Sequence, residues 1–165
     1  MALLHPLYIT APAGTAELAA DELAASGIVD VKVERGGVGC LGSLEQAYRA
    51  CLWSRVANRV LLKIAEFPAP TPEALYDGVR TVDWSEHFGV DGTLAVDATS
   101  TRSAITHTQF AALKTKDAVV DQFRERSGAR PSVDVDAPDV RINLHLDRDV
   151  ATLAIDLSGE SLHRR

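Results

Sequence analysis

The fold is decided by residues 102–156, which read RSAITHTQFAALKTKDAVVDQFRERSGARPSVDVDAPDVRINLHLDRDVATLAID. The first half of this stretch spaces its large apolar residues by three, seven and three positions, as one face of an α-helix does. Those residues are Phe110, Leu113, Val120 and Phe123. The last part alternates apolar and polar side chains, which is typical of strands buried on one face. We therefore predict a helix with basic residues, followed by a strand hairpin over 140–157.

Two features of this stretch carry more detailed predictions. Lys114 lies two helical turns after His107, so both should share a stripe that faces away from the apolar seam. In the hairpin, if Arg148 and Asp149 form a two-residue turn, Ile142 pairs with Ile155 and Leu144 with Leu153. Arg141 would then lie opposite Asp156, where a cross-strand ion pair contributes roughly 0.2–1 kcal/mol. This ion pair is the structural alternative to a binding role for Arg141.

The first part of the chain predicts the order strand, helix, strand, strand, helix, strand. Ser43 and Gln46 fit a capping box at the start of the second helix. Its apolar stripe should comprise Leu44, Ala47, Tyr48, Cys51 and Leu52. This order is the split β-α-β topology of ferredoxin-like domains, so the fold class is α+β. Prolines at 68, 70 and 72 then break the chain, which predicts domains at 1–68 and 69–158.

The composition indicates a globular protein, since 46% of the residues are hydrophobic. The net charge of −6 argues against a general polyanion binder, yet residues 101–131 carry six Lys/Arg against three Asp/Glu. Such a segment can present a local basic patch, because distant charges are screened; solvated helix faces are the alternative. Cys40 and Cys51 form no CxxC pair, and neither a signal peptide nor a membrane span is indicated. We expect a cytoplasmic protein with no membrane partner.

Two motifs with chemical meaning are weak. Residues 37–42 (GVGCLG) fit the G-x-G-x-x-G dinucleotide fingerprint, but the capping box starts the helix after Gly42 rather than within the motif. A small nucleotide-binding enzyme is thus a minor alternative. The acidic segment from Asp134 to Asp139 lacks the glycine and glutamate of a calcium loop, which favours a solvated loop. We expect no catalytic residue, no metal ligand and no cofactor-binding residue in this chain.

Several segments together resemble the N-terminal region of bacterial large-subunit ribosomal RNA guanine-N2 methyltransferases that carry a THUMP domain. They are 36–38 (GGV), 52–55 (LWSR), 111–121 (AALKTKDAVVD), 136–141 (DAPDVR) and 156–165 (DLSGESLHRR). The resemblance implies a ferredoxin-like module before a THUMP module, with an alternative THUMP start near Gln46. It also implies that residues 159–165 begin a linker to a methyltransferase domain. The chain departs from the family by ending at Arg165, without the Asn-Pro-Pro-Tyr motif.

The resemblance implies the function of an RNA-binding and targeting module. Its parent would be an S-adenosylmethionine-dependent methyltransferase, with 23S ribosomal RNA and the parent's own methyltransferase domain as partners. The fragment itself should not be an enzyme. A THUMP module of a tRNA-modifying enzyme and a structural spacer without RNA affinity are the alternatives. RNA phosphates and 2′-hydroxyls would be contacted by polar side chains. The residues that we predict to bind RNA are Arg102, His107, Lys114, Lys116, Arg124, Arg126, Arg130 and Arg141.

Overall fold

The computed structural model describes residues 3–159 and residue 162. The chain divides into two compact units. Unit 1 runs to Lys63 and takes up the chain again from Asp156, while unit 2 comprises Ile64–Ile155. The break between them lies inside a strand, before the proline segment at which we place the domain boundary. Our domain limits therefore remain predictions.

Unit 1 has the strand and helix order that the sequence predicts. Its elements are β1 (His5–Thr10), α1 (Ala16–Ala25), β2 (Val29–Glu34), β3 (Gly37–Gly42), α2 (Leu44–Trp53) and the first part of β4 (Arg59–Pro68). The strands lie in the order β2-β3-β1-β4, and β1 pairs antiparallel with both β3 and β4. Leu7, Ile9, Val38 and Val60 from these strands form the centre of the core.

Helix α2 packs differently from our prediction. The capping box is present, because the Gln46 backbone N–H donates to Ser43 Oγ and the Ser43 N–H donates to Gln46 Oε1. However, Ala47 is the buried residue of α2, and the expected stripe members Leu44, Tyr48 and Leu52 are exposed. The small Ala47 side chain makes the close contact with the core. The larger apolar residues on either side of it face solvent.

Unit 2 combines a mixed sheet with two α-helices. Its elements are α3 (Pro72–Arg80), a 3-10 turn (Trp84–Glu86), β5 (Thr93–Thr101), α4 (Thr108–Ser127), β6 (Ser132–Val133), β7 (Val140–Asp147) and β8 (Val150–Asp156). β5 pairs parallel with β6 and β7, and β7 pairs antiparallel with β8. Helix α3 has Thr71 as its cap and Pro72 in its first turn, a position that proline favours. The sequence analysis did not predict the two-residue strand β6.

The β7–β8 hairpin confirms the predicted register. Ile142 pairs with Ile155 and Leu144 with Leu153. Arg148 and Asp149 both have positive φ, 52° and 61°, as a two-residue type I′ turn requires. Arginine and aspartate therefore occupy a turn in which Asn-Gly is the common pair. The alternation along β7 leaves its polar side chains on the sheet face opposite the buried one.

Helix α4 is fixed by a buried amide, and its buried face differs from the seam we predicted. Gln122 accepts a hydrogen bond from the Trp84 N–H at 3.0 Å and donates to the carbonyls of Arg80 and Val82 at 3.0 and 2.7 Å. The fully buried Trp84 donates its ring N–H to Val79 O at 2.9 Å. The buried face of α4 comprises Ala111, Thr115, Ala118, Val119, Val120, Gln122 and Phe123.

The predicted seam was therefore wrong at its start. Phe110 is 41% exposed and Leu113 is 53% exposed, whereas Val120 and Phe123 are buried as expected. The prediction counted only large apolar residues. The helix instead lies against the core through small and hydrogen-bonding side chains, which rotates its inner face away from Phe110 and Leu113.

Candidate nucleic-acid interface

The loop that leads into α4 is held by the β7–β8 turn. The Asp149 N–H donates to Ser103 Oγ at 3.0 Å, and the Asp149 carboxylate accepts from the Ala104 N–H at 2.7 Å. Ile105 is buried in the core of unit 2, and its carbonyl accepts from Ser100 Oγ at 2.6 Å. Contacts of three successive residues, Ser103, Ala104 and Ile105, therefore fix the backbone just before the N-terminus of α4. Arg102 lies in this loop with a positive φ of 50°.

His107 is the N-cap of α4 rather than an outward ligand on the helix surface. Its Nδ1 accepts the Phe110 backbone N–H at 3.1 Å. Lys114 also differs from the prediction, because its Nζ lies 5.8 Å from the Tyr76 ring centroid and 6.0 Å from that of Phe110. These distances are within the range of cation–π contacts. Lys114 therefore lies beside Phe110, a residue of the predicted apolar seam, rather than on a stripe that faces away from it.

Acidic neighbours pair with five of the eight predicted RNA-binding residues. Arg102 lies 3.0 Å from Asp147, and Arg126 lies 2.7 Å from Asp83. Lys116 forms an ion pair with the adjacent Asp117, and Arg124 lies 4.0 Å from Asp121, which is a long distance for an ion pair. Arg141 is the fifth paired residue. Arg130 is exposed and has no acid partner within the part of the chain that the structure describes.

The partner of Arg141 is not the one that we predicted. Arg141 contacts Asp97 on the neighbouring strand β5 at 2.9 Å and donates to the carbonyl of Val135 at 3.2 Å. Asp156, the expected partner, instead contacts Arg59 at 2.5 Å. The prediction considered only the hairpin, and it missed that the parallel pairing of β7 with β5 brings a second acid beside Arg141.

The predicted residues do not gather on one surface. Arg102 and His107 lie at the N-terminal end of α4, whereas Arg124, Arg126 and Arg130 lie at or beyond its C-terminal end. A helix of 20 residues is about 30 Å long. Arg141 occupies the polar face of the sheet together with Thr99 and His145, whose Oγ1 and Nδ1 atoms are 2.7 Å apart.

One basic residue near Arg102 was not among the residues that the sequence analysis predicted to bind RNA. Arg148 is exposed in the β7–β8 turn, and its N–H donates to Thr101 O at 3.2 Å. Its guanidinium has no acid partner among the described residues. The signal that could have found it is the turn itself, since a two-residue turn must project its side chains from the sheet.

Hydrogen bonds and ion pairs between α4 and its neighbours shift the pKa values of several side chains. Tyr76 donates to Asp121 at 2.5 Å, and this bond together with burial raises the pKa of Tyr76 above its ordinary value. Arg80 pairs with Glu125 and holds the pKa of that carboxyl below its usual range. The Ser85 hydroxyl and Arg126 similarly lower the pKa of Asp83. Glu125 and Asp83 therefore stay ionised near neutral pH and reduce the positive potential of α4.

The described residues also bear on three other features: a phosphate-binding loop, a metal site and a membrane-spanning helix. The G-x-G-x-x-G motif lies within β3, and a Cβ at Gly37 would come within 2.2 Å of the Ile9 carbonyl oxygen. The glycines therefore allow close strand pairing and form no phosphate loop. No group of three His, Cys, Asp or Glu side chains within the described ranges could hold a metal ion. None of the helices that the structure describes has both the length and the apolar character that crossing a bilayer requires.

Comparison with protein families identifies the second half of the chain. Residues 69–156, more than half of the sequence, match the model of the THUMP domain. The chain belongs to the THUMP family. Residues 6–61 match the model of the RlmL ferredoxin-like domain, which lies within unit 1. The predicted fold class, a ferredoxin-like domain followed by a THUMP domain, is thus confirmed.

The relatives of this THUMP protein are longer proteins. It is 59% identical over 158 residues to the ribosomal RNA large subunit methyltransferase K/L of Syntrophotalea carbinolica, covering 96% of this chain and 22% of the relative. A Listeria monocytogenes protein assigned as an N6-adenine-specific DNA methylase superimposes with a TM-score of 0.86 at 29% identity, covering 98% of this chain and 42% of its own. SMU.472, assigned as a methyltransferase and solved with SAH, gives a TM-score of 0.84 at 30% identity, with coverages of 98% and 43%.

These comparisons confirm the resemblance that the sequence segments carried. The THUMP protein spans about a fifth of the length of the curated relative that it matches. It spans less than half of each methylase structure. What the relatives bind or modify therefore depends on the rest of their chains as well as on the region that matches this protein.

Proposed function

We propose that this chain is the RNA-binding and targeting region of a longer methyltransferase that acts on guanine N2 of 23S ribosomal RNA. The observation that carries the proposal is the 59% identity, over nearly the whole chain, to a ribosomal RNA large subunit methyltransferase K/L. A ferredoxin-like domain followed by a THUMP domain supports it. The two units would position structured RNA for a catalytic domain elsewhere in the longer polypeptide.

The N-terminal end of α4 is the part of unit 2 best suited to receive RNA. The loop at Arg102 is fixed by several hydrogen bonds, and Arg148 projects from the turn that holds it. Lys114 lies further along the helix without an acid partner in the described structure. Arg102 is bound to Asp147, but an exposed ion pair contributes only about 0–1 kcal/mol. A phosphate can therefore replace the carboxylate at little cost.

The remaining predicted residues would contribute less. Lys116, near the middle of α4, and Arg124 and Arg126, in its last turn, are all paired with acids. Arg130 lies beyond the end of that helix, and Arg141 is tied to Asp97 on the sheet. We retain all eight residues as proposed contacts. The strongest effects on affinity should come from Lys114, whose charge is not offset by a neighbouring acid.

S-adenosylmethionine would be bound outside this chain. SMU.472, at 30% identity, was solved with SAH, and this region corresponds to 43% of that protein. The glycine motif that could have cradled a cofactor is a paired strand here. We therefore assign RNA recognition to this chain and methyl transfer to the remainder of the polypeptide.

A salt titration tests the proposal. Binding of the 165-residue chain to a hairpin from 23S ribosomal RNA should weaken as salt rises, because phosphate contacts release counterions. Lys114→Gln should weaken binding and reduce the slope of log K against log salt by about one. Lys32→Gln is the matched control, since Lys32 is an exposed lysine on β2 of unit 1. It should leave both quantities unchanged.

The same experiment separates the alternatives. Tighter binding to a tRNA acceptor stem than to the ribosomal hairpin would favour a tRNA-modifying enzyme. Absence of binding, or an affinity independent of salt, would favour the alternative that this region is a structural spacer. Equal losses from Lys114→Gln and Lys32→Gln would remove the N-terminal end of α4 from the interface.

A further inference from the structure

Helix α2 exposes an unusual number of large apolar side chains. Leu44, Tyr48, Leu52 and Trp53 are 40%, 52%, 71% and 75% exposed, respectively. Leu44, Tyr48 and Leu52 recur every four residues and so lie along one side of the helix. We call these four residues the α2 apolar face. Large exposed apolar patches on a soluble protein mark surfaces that another molecule covers.

A groove adjoins this face. A cavity of about 200 Å³ lies between α1 and α2, and its lining includes Leu23, Ala50 and Trp53. Trp53 thus belongs to both the groove and the α2 apolar face. The groove gives an apolar side chain of a partner a place to insert, in the manner of a central anchor residue at protein interfaces.

The charges around this surface disfavour nucleic acid. Helix α1 carries Glu17, Asp21 and Glu22 and no lysine or arginine. On α2, Arg49 is paired with Glu45 at 2.8 Å. A polyanion would meet net negative charge here, whereas binding of RNA phosphates needs Lys and Arg. The occupant should therefore be a protein surface.

The path of the chain indicates which protein surface is near. Leu162, the last residue that the structure describes, is buried in the core of unit 1. Its N–H donates to the carbonyl of Asn58 at 2.7 Å, and Asn58 lies in the connection that follows α2. Of the linker predicted at 159–165, residues 160, 161 and 163–165 lie outside the described residues. The end of the described chain thus lies against the segment that joins α2 to β4.

We propose that the α2 apolar face docks the methyltransferase region of the same longer polypeptide. The inference rests on the proposed function, since it requires that such a region follows unit 1. Relatives and structural neighbours are more than twice as long as this chain, which covers 22% and 42% of them. A region tethered beside Asn58 is present at a high effective concentration, so a small apolar face suffices to hold it.

Trp53 provides the test, because the chain has two tryptophans, and the other one, Trp84, is fully buried. Both are labelled with fluorotryptophan and monitored by ¹⁹F NMR, with Trp53→Phe assigning the signals. In the isolated chain, a soluble paramagnetic agent should broaden the Trp53 signal strongly and spare that of Trp84. In the full-length polypeptide, the broadening of Trp53 should fall severalfold.

Two variants of the full-length polypeptide make the test specific. Leu52→Glu places a charge on the α2 apolar face and should return Trp53 to the accessibility it has in the isolated chain. Val135→Glu changes an equally exposed apolar residue of unit 2, at 69% against 71%, and should leave Trp53 protected. Both positions face solvent, so both variants should fold.

Several results would overturn the proposal. The first is a Trp53 equally accessible in the full-length polypeptide and in the isolated chain. Protection in the isolated chain on raising its concentration would show that a second copy is the occupant, and protection on adding the ribosomal RNA hairpin would show RNA instead. The RNA titration uses the isolated chain alone. Loss of docking with intact RNA binding therefore rejects this inference and leaves the proposed function in place.

Discussion

Helices α2 and α4 belong to different units and are held in different ways. Helix α4 buries seven of its residues, including Gln122, which bonds to three backbone groups. Helix α2 buries Ala47, and the capping box of Ser43 and Gln46 fixes its start. A helix fixed by a buried polar network has its orientation determined from within. Helix α2 packs on the core through Ala47 and the half-buried Ala50 and Cys51, and its larger apolar side chains stay exposed for another surface.

Replacing Gln122 with leucine should have the largest effect on stability. Leucine has a similar size but leaves the Trp84 N–H and the carbonyls of Arg80 and Val82 without partners in the core. Each unsatisfied buried group costs about 1–3 kcal/mol, so we expect a loss of roughly 3 kcal/mol or more. Urea unfolding followed by Trp84 fluorescence, in a Trp53→Phe background, measures it.

Gln109→Leu is the control for this prediction. Gln109 is an exposed residue in the first turn of the same helix, so its replacement should change the free energy of unfolding by less than about 0.5 kcal/mol. Similar losses from the two variants would mean that the amide of Gln122 does not anchor α4. The contrast between α4 and α2 would then fail.

Gly78→Ala should destabilise unit 2 although alanine favours helices. Gly78 lies in α3, and a Cβ there would come within 2.1 Å of the Phe67 ring. Overpacking of this kind costs about 1–3 kcal/mol, which exceeds the gain of roughly 1 kcal/mol from helix propensity. Thermal unfolding should show a lower midpoint. Adding Phe67→Leu should recover part of the loss, and absence of any recovery would disprove the contact.

Ser43→Ala should have a smaller effect, because it removes a cap at the protein surface. The loss should be about 1 kcal/mol, typical of N-cap serines. Ser43→Thr is the matched control, since threonine keeps the hydroxyl that accepts the Gln46 N–H. If α2 depends on its cap as we infer, amide hydrogen exchange in its first turn should accelerate in the alanine variant alone.

The sequence predicted elements where a local rule is strong. The capping box at Ser43 and the β7–β8 register were both correct. Each depends on hydrogen bonds or dihedral angles within a few residues, or on simple alternation. The ferredoxin-like order followed from the same signals and was confirmed by the family match.

Predictions failed where a side chain is placed by a distant element. The partner of Arg141 comes from β5, 44 positions away, and no hairpin rule includes it. Phe110 and Leu113 are exposed because Ala111, Thr115 and Ala118 form the inner face of the first half of α4. The basic residues of 101–131 are close in sequence but separate along a long helix. Two of them, Arg102 and Arg126, pair with Asp147 and Asp83, which come from other segments of unit 2.

The pKa of Asp83 gives the smallest and most local test of how α4 is held. Its carboxylate accepts from the Ser85 hydroxyl at 2.6 Å and pairs with Arg126 of α4 at 2.7 Å. Both contacts lower its pKa below the ordinary value of 3.8, and the Ser85 hydroxyl contributes most. An NMR titration should therefore show that the pKa of Asp83 rises in both Ser85→Ala and Arg126→Gln.

The sign of the effect on stability follows from the direction of this shift. A lowered pKa in the folded state means that ionised Asp83 stabilises unit 2 above the unfolded pKa. This contribution disappears as the pH falls through the folded pKa. Asp83→Asn should therefore reduce the difference in unfolding free energy between neutral and strongly acidic solution. An unchanged difference would show that the contact with Arg126 does not help to hold the C-terminal end of α4.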